Sequence, residues 1–199
     1  MLEESCPIEV FAAELRGGIQ EGSGDAPEDF QAISGLRLRE EALVAESLAR
    51  SKGMWMEFSR IASLGTPFPS GVENDVYLNP RGNVIYKVNN LMTSKTLLSL
   101  FERLVLHNSI FPQTGYMLKG FTGFGNGSVY PILRQDFIPN EREATPIEID
   151  MYMSALGFRR ISEAKYSNGA VEVSDLHPRN VLRDSEGDLY VIDAEFKQV

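Results

Sequence analysis

The run Asp175-Leu-His-Pro-Arg-Asn180, followed by Asp193-Ala-Glu-Phe196, constrains this chain more than any other stretch. Asn180 and Asp193 bracket Val181-Leu-Arg-Asp-Ser-Glu-Gly-Asp-Leu-Tyr-Val-Ile192. That piece reads as strand, turn, strand, with Asp184-Ser-Glu-Gly187 as the turn. A turn centred between Glu186 and Gly187 sets Val181 opposite Ile192, and Asn180 opposite Asp193 at the open mouth of the hairpin. An amide oxygen and a carboxylate, with Asp175 just upstream, suit a hard divalent cation such as Mg²⁺.

Composition narrows what can surround such a site. The 199 residues are 43% hydrophobic, enough for a core, and suggest one domain or a domain with an appendage. The formal charge of −9 is uneven: residues 1–50 carry 11 acidic and 4 basic side chains, residues 51–199 carry 17 and 15. The body is therefore nearly neutral and shows no basic face for nucleic acid. The single cysteine, Cys6, allows neither an internal disulfide nor a thiolate-built zinc site, and it has no basic neighbour to activate it. No apolar run is long enough to span a membrane and the acidic N-terminus is not a signal peptide, so a cytoplasmic protein with no membrane or nucleic-acid partner is expected.

Taken in order, residues 1–54 read as an acidic, partly helical appendage that docks on the body or serves a partner. A short helix is expected at Ile8–Leu15, with Gly17-Gly18 and Gly22-Ser-Gly-Asp25 as breakers and partial disorder around them. A second helix is expected over 36–51, and a helical patch through Trp55, Phe58, Ile61 and Ala62. From Leu64 the pattern turns to strands. Gly71, Glu73 and Asn74 lie in a small-residue loop of the kind whose amides approach a phosphate. Strands at 76–78 and 84–88 follow, and Lys87 stands among apolar neighbours. It is either an exposed strand lysine or one kept for an anionic partner. The helix from Thr93 to His107 has Glu102 as its only acid, which either pairs with Lys87 or is solvated. Strands near 116–121 and 128–137 flank Thr122-Gly-Phe-Gly-Asn-Gly127, read as a hairpin turn because no helix follows it. An apolar helix at 146–156 and short strands at 158–166 and 170–173 lead back to Asp175. His177 reads as packing for the loop it sits in.

A small-residue loop, a strand lysine, a helix with one acid, then Asp-x4-Asn, a hairpin and Asp resemble the protein-kinase-like superfamily. The Asp-Leu-His-Pro-Arg-Asn-Val-Leu run is similar to that of aminoglycoside and choline phosphotransferases. Gly71-Val-Glu-Asn-Asp-Val-Tyr77, Val84-Ile-Tyr-Lys-Val-Asn-Asn90, His107-Asn108, Phe111-Pro112 and Val191-Ile-Asp-Ala-Glu-Phe196 resemble a small bacterial kinase-like family from polyvalent proteins of phages and mobile elements. The resemblance runs from Trp55 to Val199. It implies an α+β, minimal, truncated protein-kinase-like fold: an antiparallel sheet with one helix over 55–138 and a small helical lobe over 139–199, with the nucleotide between them.

The resemblance also implies roles. Lys87 would hold ATP phosphates, with Glu102 as its partner; Asn180 and Asp193 would hold Mg²⁺; Asp175 would take the proton of the acceptor hydroxyl. Gln135, Asp136 and Phe137 would form the linker that meets the adenine, and Gly71, Glu73 and Asn74 the phosphate loop. This chain departs from the pattern at Val173-Ser174, where protein kinases carry His-Arg, and at Ala194-Glu195, where they carry Phe-Gly. Control by a phosphorylated activation segment is therefore not expected. The shortness of the chain after Asp193 leaves two expectations open. One is an ATP:Mg²⁺ phosphotransferase acting on a protein or small-molecule hydroxyl. The other is an inactive module that binds nucleotide or a protein, with a homodimer or partner completing the site.

Overall fold

The structure is a computed structural model that describes residues 7–22, 30–125, 127–139 and 142–199. Cys6 and the expected breaker segment from residue 23 lie outside the described residues. The chain divides into two compact units. The first takes the chain to Glu102 together with Tyr116–Gln135; the second takes Arg103–Gly115 and Asp136–Val199. The division thus places 103–115 with the later part of the chain, and its second cut falls between Gln135 and Asp136, inside the segment read as a linker.

In the first unit, helix α1 (Ile8–Gly22) buries Ile8, Phe11, Ala12 and Leu15. Their spacing is the stripe of an amphipathic helix. The helix runs through Gly17-Gly18 rather than breaking there. Gly18 faces helix α2 (Phe30–Ser51), and a Cβ at Gly18 would stand 2.6 Å from Val44 Cγ1. Tertiary packing here uses the glycine for close approach and overrides its poor helix propensity. On α2 the buried positions among the described residues are Glu41, Ala45 and Ala49, one per turn. Glu41 accepts the amides of Leu97 and Leu98, both at 3.0 Å, and so caps helix α3 (Leu97–Ile110) from outside it. A carboxylate on the free amides of a helix start is favourable both as an acceptor and as a charge.

The sheet of this unit has the order β1-β2-β3-β5-β4, from β1 (Thr66–Phe68), β2 (Asn74–Leu78), β3 (Val84–Asn89), β4 (Met117–Thr122) and β5 (Tyr130–Asp136). β4 and β5 pair antiparallel up to Thr122 opposite Tyr130, so the glycine cluster between them is the hairpin turn expected of it. The patch at Trp55 is not helical at its start. Met54–Met56 runs along β4, with Met56 N and Phe121 N bonding to Phe121 O and Met54 O, each at 2.8 Å, and a 3₁₀ helix begins only at Phe58. A sheet edge with free amides competes with the local helical pattern, and here it wins.

The second unit carries β6 (Arg142–Glu143), helix α4 (Pro146–Ala155), β7 (Arg159–Ser162), β8 (Lys165–Ser167), β9 (Val171–Ser174), β10 (Val181–Arg183), β11 (Leu189–Val191) and β12 (Glu195–Gln198). They form two antiparallel sheets, β11-β10-β6 and β12-β9-β8-β7. Phe111, Ile149, Met153, Val173, Val181 and Val191 lie in its core. Thus Met153 is core filler as expected, whereas Met151 is 68% exposed. Among the described residues no helix is long and apolar enough to cross a membrane.

Helix α4 starts with a capping box: Thr145 Oγ1 accepts from Glu148 N at 3.3 Å, and Glu148 Oε2 accepts from Thr145 N at 2.8 Å. The Arg142 guanidinium, then the Thr145 amide and hydroxyl, hold the Glu148 carboxyl far below the usual carboxylate range. A depressed carboxylate stabilises the fold above its ordinary value of 4.5, and that stability is lost as pH falls toward the depressed value. Urea melts of the wild type and Glu148→Gln are therefore expected to differ at neutral pH and to converge in acid. A difference that stays constant across that range would contradict the linkage.

Candidate active site

Asp175 stands at φ +63°, in the left-handed region, at the end of β9. The next residue, Leu176, is 2% exposed and its amide bonds to Ala164 O at 3.1 Å, which pins the loop to the core. Pro178–Asn180 then makes one 3₁₀ turn, with proline at its first position and Asn180 N bonded to His177 O. The turn swings Asn180 back onto Asp175. Asn180 Nδ2 donates to Asp175 O at 3.0 Å and to Asp175 Oδ2 at 2.9 Å. On its other side Asp175 Oδ1 is 3.0 Å from His177 Nε2. The Asp175 side chain remains 50% exposed, so an incoming hydroxyl can reach it.

Two ladders flank Asp193. β12 pairs with β9 so that Glu195 lies opposite Ser174, and Asp193 and Asp175 both extend past that end of the ladder. β10 pairs with β11 as Val181 opposite Val191, and Ile192 N bonds to Asn180 O at 2.9 Å. This register is one residue off the expected one: Asn180 faces Ile192, and Asp193 comes one residue later. The cause is the turn. Asp184 Oδ1 accepts the amides of Glu186, Gly187 and Asp188 at 2.9–3.0 Å, and Gly187 takes φ +98°. That closes an odd-numbered loop centred on Glu186 and moves the symmetry by half a residue. Burial raises the Asp184 pKa, but the Asp188 amide, the Tyr190 hydroxyl and the amides of Glu186 and Gly187 outweigh it and hold the group ionised below its usual range.

The segment after Asp193 is strand, not a loose loop. Glu195 pairs in β12 and forms an ion pair with Arg103, which is 9% exposed. Thr114 Oγ1 donates to Val191 O at 2.5 Å, and His107 Nε2 lies 3.1 Å from both Thr114 oxygens. Arg103, His107 and Thr114 thus brace β11 and β12, the strands on either side of Asp193. None was singled out for this from spacing, although His107 stood in a motif that carried the family resemblance.

In the first unit Lys87 lies opposite Val76 in the β2–β3 ladder and is 9% exposed. It is a buried lysine, not an exposed one. Its Nζ donates to Tyr116 Oη at 2.9 Å and sits 4.9 Å from that ring's centroid. Tyr116 was not anticipated; a tyrosine at a strand entrance leaves no signal that it faces a particular lysine. The structure gives Glu102 a different partner from the one expected: it is exposed and pairs with Arg16 at 2.8 Å. Helix α1 supplies that arginine, which no reading of α3 alone could include. Asn89 Nδ2 donates to Glu73 Oε1 at 3.1 Å and Asn74 Oδ1 at 2.9 Å, and Asn90 Nδ2 donates to Val72 O at 2.6 Å. The pair Asn89-Asn90 therefore shapes the loop after Gly71, which is itself exposed. Gln135 is 3% exposed in β5, while Asp136 and Phe137 open the second stretch of the second unit.

The donor set at the end of the hairpin fits a hard cation. Both Asn180 hydrogen bonds to Asp175 are made by its Nδ2, which leaves the amide oxygen without a bond to Asp175. Two protein oxygens are typical of Mg²⁺, which fills its remaining positions with water and phosphate. Among the described residues no group of three or more His, Cys, Asp or Glu gathers as a metal site, so nothing here suggests a dedicated all-protein cage.

A sheet bearing a buried lysine, and a pinned Asp-x4-Asn loop joined through a hairpin to a further Asp, define an α+β protein of the kinase-like class. The chain belongs to the family described as the Serine/Threonine/Tyrosine kinase found in polyvalent proteins, whose model matches residues 39–198. The match begins inside α2, earlier than Trp55. No curated protein and no solved structure matches the chain.

Proposed function

We propose that this kinase-like protein is an ATP:Mg²⁺-dependent phosphotransferase that transfers the γ-phosphoryl group to a hydroxyl of a protein or small molecule. The observation that carries the reading is the loop in which the Asn180 side chain ties the carboxylate of Asp175. On this reading one hydrogen bond joins the base, Asp175, to a metal ligand, Asn180. In the reaction the acceptor oxygen bonds to the γ-phosphorus, the bond to the β–γ bridging oxygen breaks, and the hydroxyl proton passes to Asp175. Mg²⁺, when bound, would offset charge on the phosphate oxygens, and Asn180 and Asp193 would hold it. Lys87 supplies a fixed cation for the phosphates, and its bond to Tyr116 keeps that cation satisfied within the sheet. Phosphoryl transfer asks little covalent work of a protein beyond such positioning.

Thermal unfolding with ATP, with and without Mg²⁺, tests the nucleotide site. At 100 times Kd, binding adds about 2.7 kcal/mol, a Tm rise on the order of 5–10 °C for a chain of this size. The rise is expected to need Mg²⁺ and to be lost in Lys87→Ala and Asp193→Asn. No shift at millimolar ATP sinks the enzyme reading and leaves a kinase-like interaction module.

A further inference from the structure

We infer that His177 is a positioning residue that holds the Asp175 carboxylate through its Nε2–H; the inference rests on the proposed role of Asp175. The two ring nitrogens have unlike surroundings. Nε2 is 3.0 Å from Asp175 Oδ1, whereas Nδ1 is shut off from solvent and has no partner among the described residues. A proton on Nδ1 would be a buried donor without an acceptor, and the ring would then face a carboxylate with a bare lone pair. Both penalties place the proton on Nε2 rather than on Nδ1.

That tautomer completes a clamp. Asp175 Oδ2 takes the Asn180 amide and Oδ1 takes His177, so each carboxylate oxygen has one donor and keeps a lone pair for the acceptor hydroxyl. Without His177 the carboxylate hangs from one side chain at a half-exposed position and can turn about its Cβ–Cγ bond. The left-handed backbone at Asp175 fixes where the side chain starts, but not how its plane lies. The backbone of His177 is tied by the Asn180 amide, which bonds to His177 O at 2.9 Å. His177 thus does more than fill space in the loop.

Two variants and one spectrum test this on the full chain. The activity probe is MgATP hydrolysis, with water as acceptor. His177→Phe keeps the ring and removes the donor; kcat is expected to fall roughly 10- to 100-fold, with KM for ATP changed by no more than about twofold. His177→Gln places an amide N–H at similar reach and is expected to restore most of the loss. A purely packing role predicts the reverse order, with Phe better than Gln. The inference is overturned by a Phe variant within about threefold of wild type, or by Gln losing as much as Phe. ¹⁵N–¹H spectra of the imidazoles give a readout independent of turnover, and the chain has only two histidines to assign. The expected result is an Nε2–H tautomer for His177 whose Nε2 proton signal moves in Asp175→Ala; an Nδ1–H tautomer overturns the contact. Wild type with no MgATP turnover ends the reading of Asp175 as a base, and the spectrum alone then decides whether His177 holds it.

Discussion

Asp175→Asn is expected to slow phosphoryl transfer by roughly 10²- to 10⁴-fold on the proposed reading, the range that a positioned general base supplies. The substitution preserves volume and leaves Asn180 and Asp193 untouched, so the Mg²⁺-dependent thermal shift with ATP should survive. Folding should be little affected as well. The side chain is 50% exposed, and of its two donors only one need face the new NH₂ group. The discriminating pattern is therefore nucleotide binding retained, Tm nearly unchanged, and turnover lost. Turnover within about threefold of wild type would show that Asp175 does not take the proton, and the loop would then serve metal and nucleotide alone. Loss of ATP binding together with turnover would instead make Asp175 part of the cation site.

The largest effect on stability is expected at Phe11→Ala. Phe11 is fully buried and its ring stands 4.6 Å from that of Phe121 and 6.0 Å, edge-on, from that of Phe101. Phe101 and Phe121 meet each other at 6.4 Å. Helix α1, helix α3 and strand β4 thus share one aromatic cluster, and deleting a ring from it leaves a cavity bounded by three elements that cannot all relax. Such truncations cost about 3–5 kcal/mol. At two to four degrees per kcal/mol for a chain of this size, Tm should fall by roughly 6–20 °C. Val10→Ala is the control: its neighbour on α1 is 47% exposed and should change stability by no more than about 0.5 kcal/mol. A Phe11→Ala loss below about 1 kcal/mol would mean that α1 is the detachable appendage suggested by its acidic composition.

That contrast marks where a linear reading of this chain reaches. Asp175, Asn180 and Asp193 could be nominated from the sequence because the turns that join them are local. A proline-initiated turn brings Asn180 back five residues, and a hairpin joins Asn180 to the Asp193 side, so spacing alone predicts that the three converge. Lys87 was legible because a lysine flanked by Tyr86 and Val88 in a strand is costly unless something anionic or polar meets it. The hairpin register was missed by one residue, because side-chain capping by Asp184 set the size of the turn and strand periodicity could not.

The remaining features needed chain segments far apart to meet. Nothing near Glu102 says that Arg16 will reach it, and nothing near Lys87 points to Tyr116. Gly17-Gly18 looked like an end of helix until Val44 required the missing side chain. Local pattern therefore determined the class of fold and nominated the groups proposed to do its chemistry. Tertiary structure decided which partner each group keeps: burial makes an unpaired polar atom expensive, and the partner is whichever complementary group the packing brings within reach.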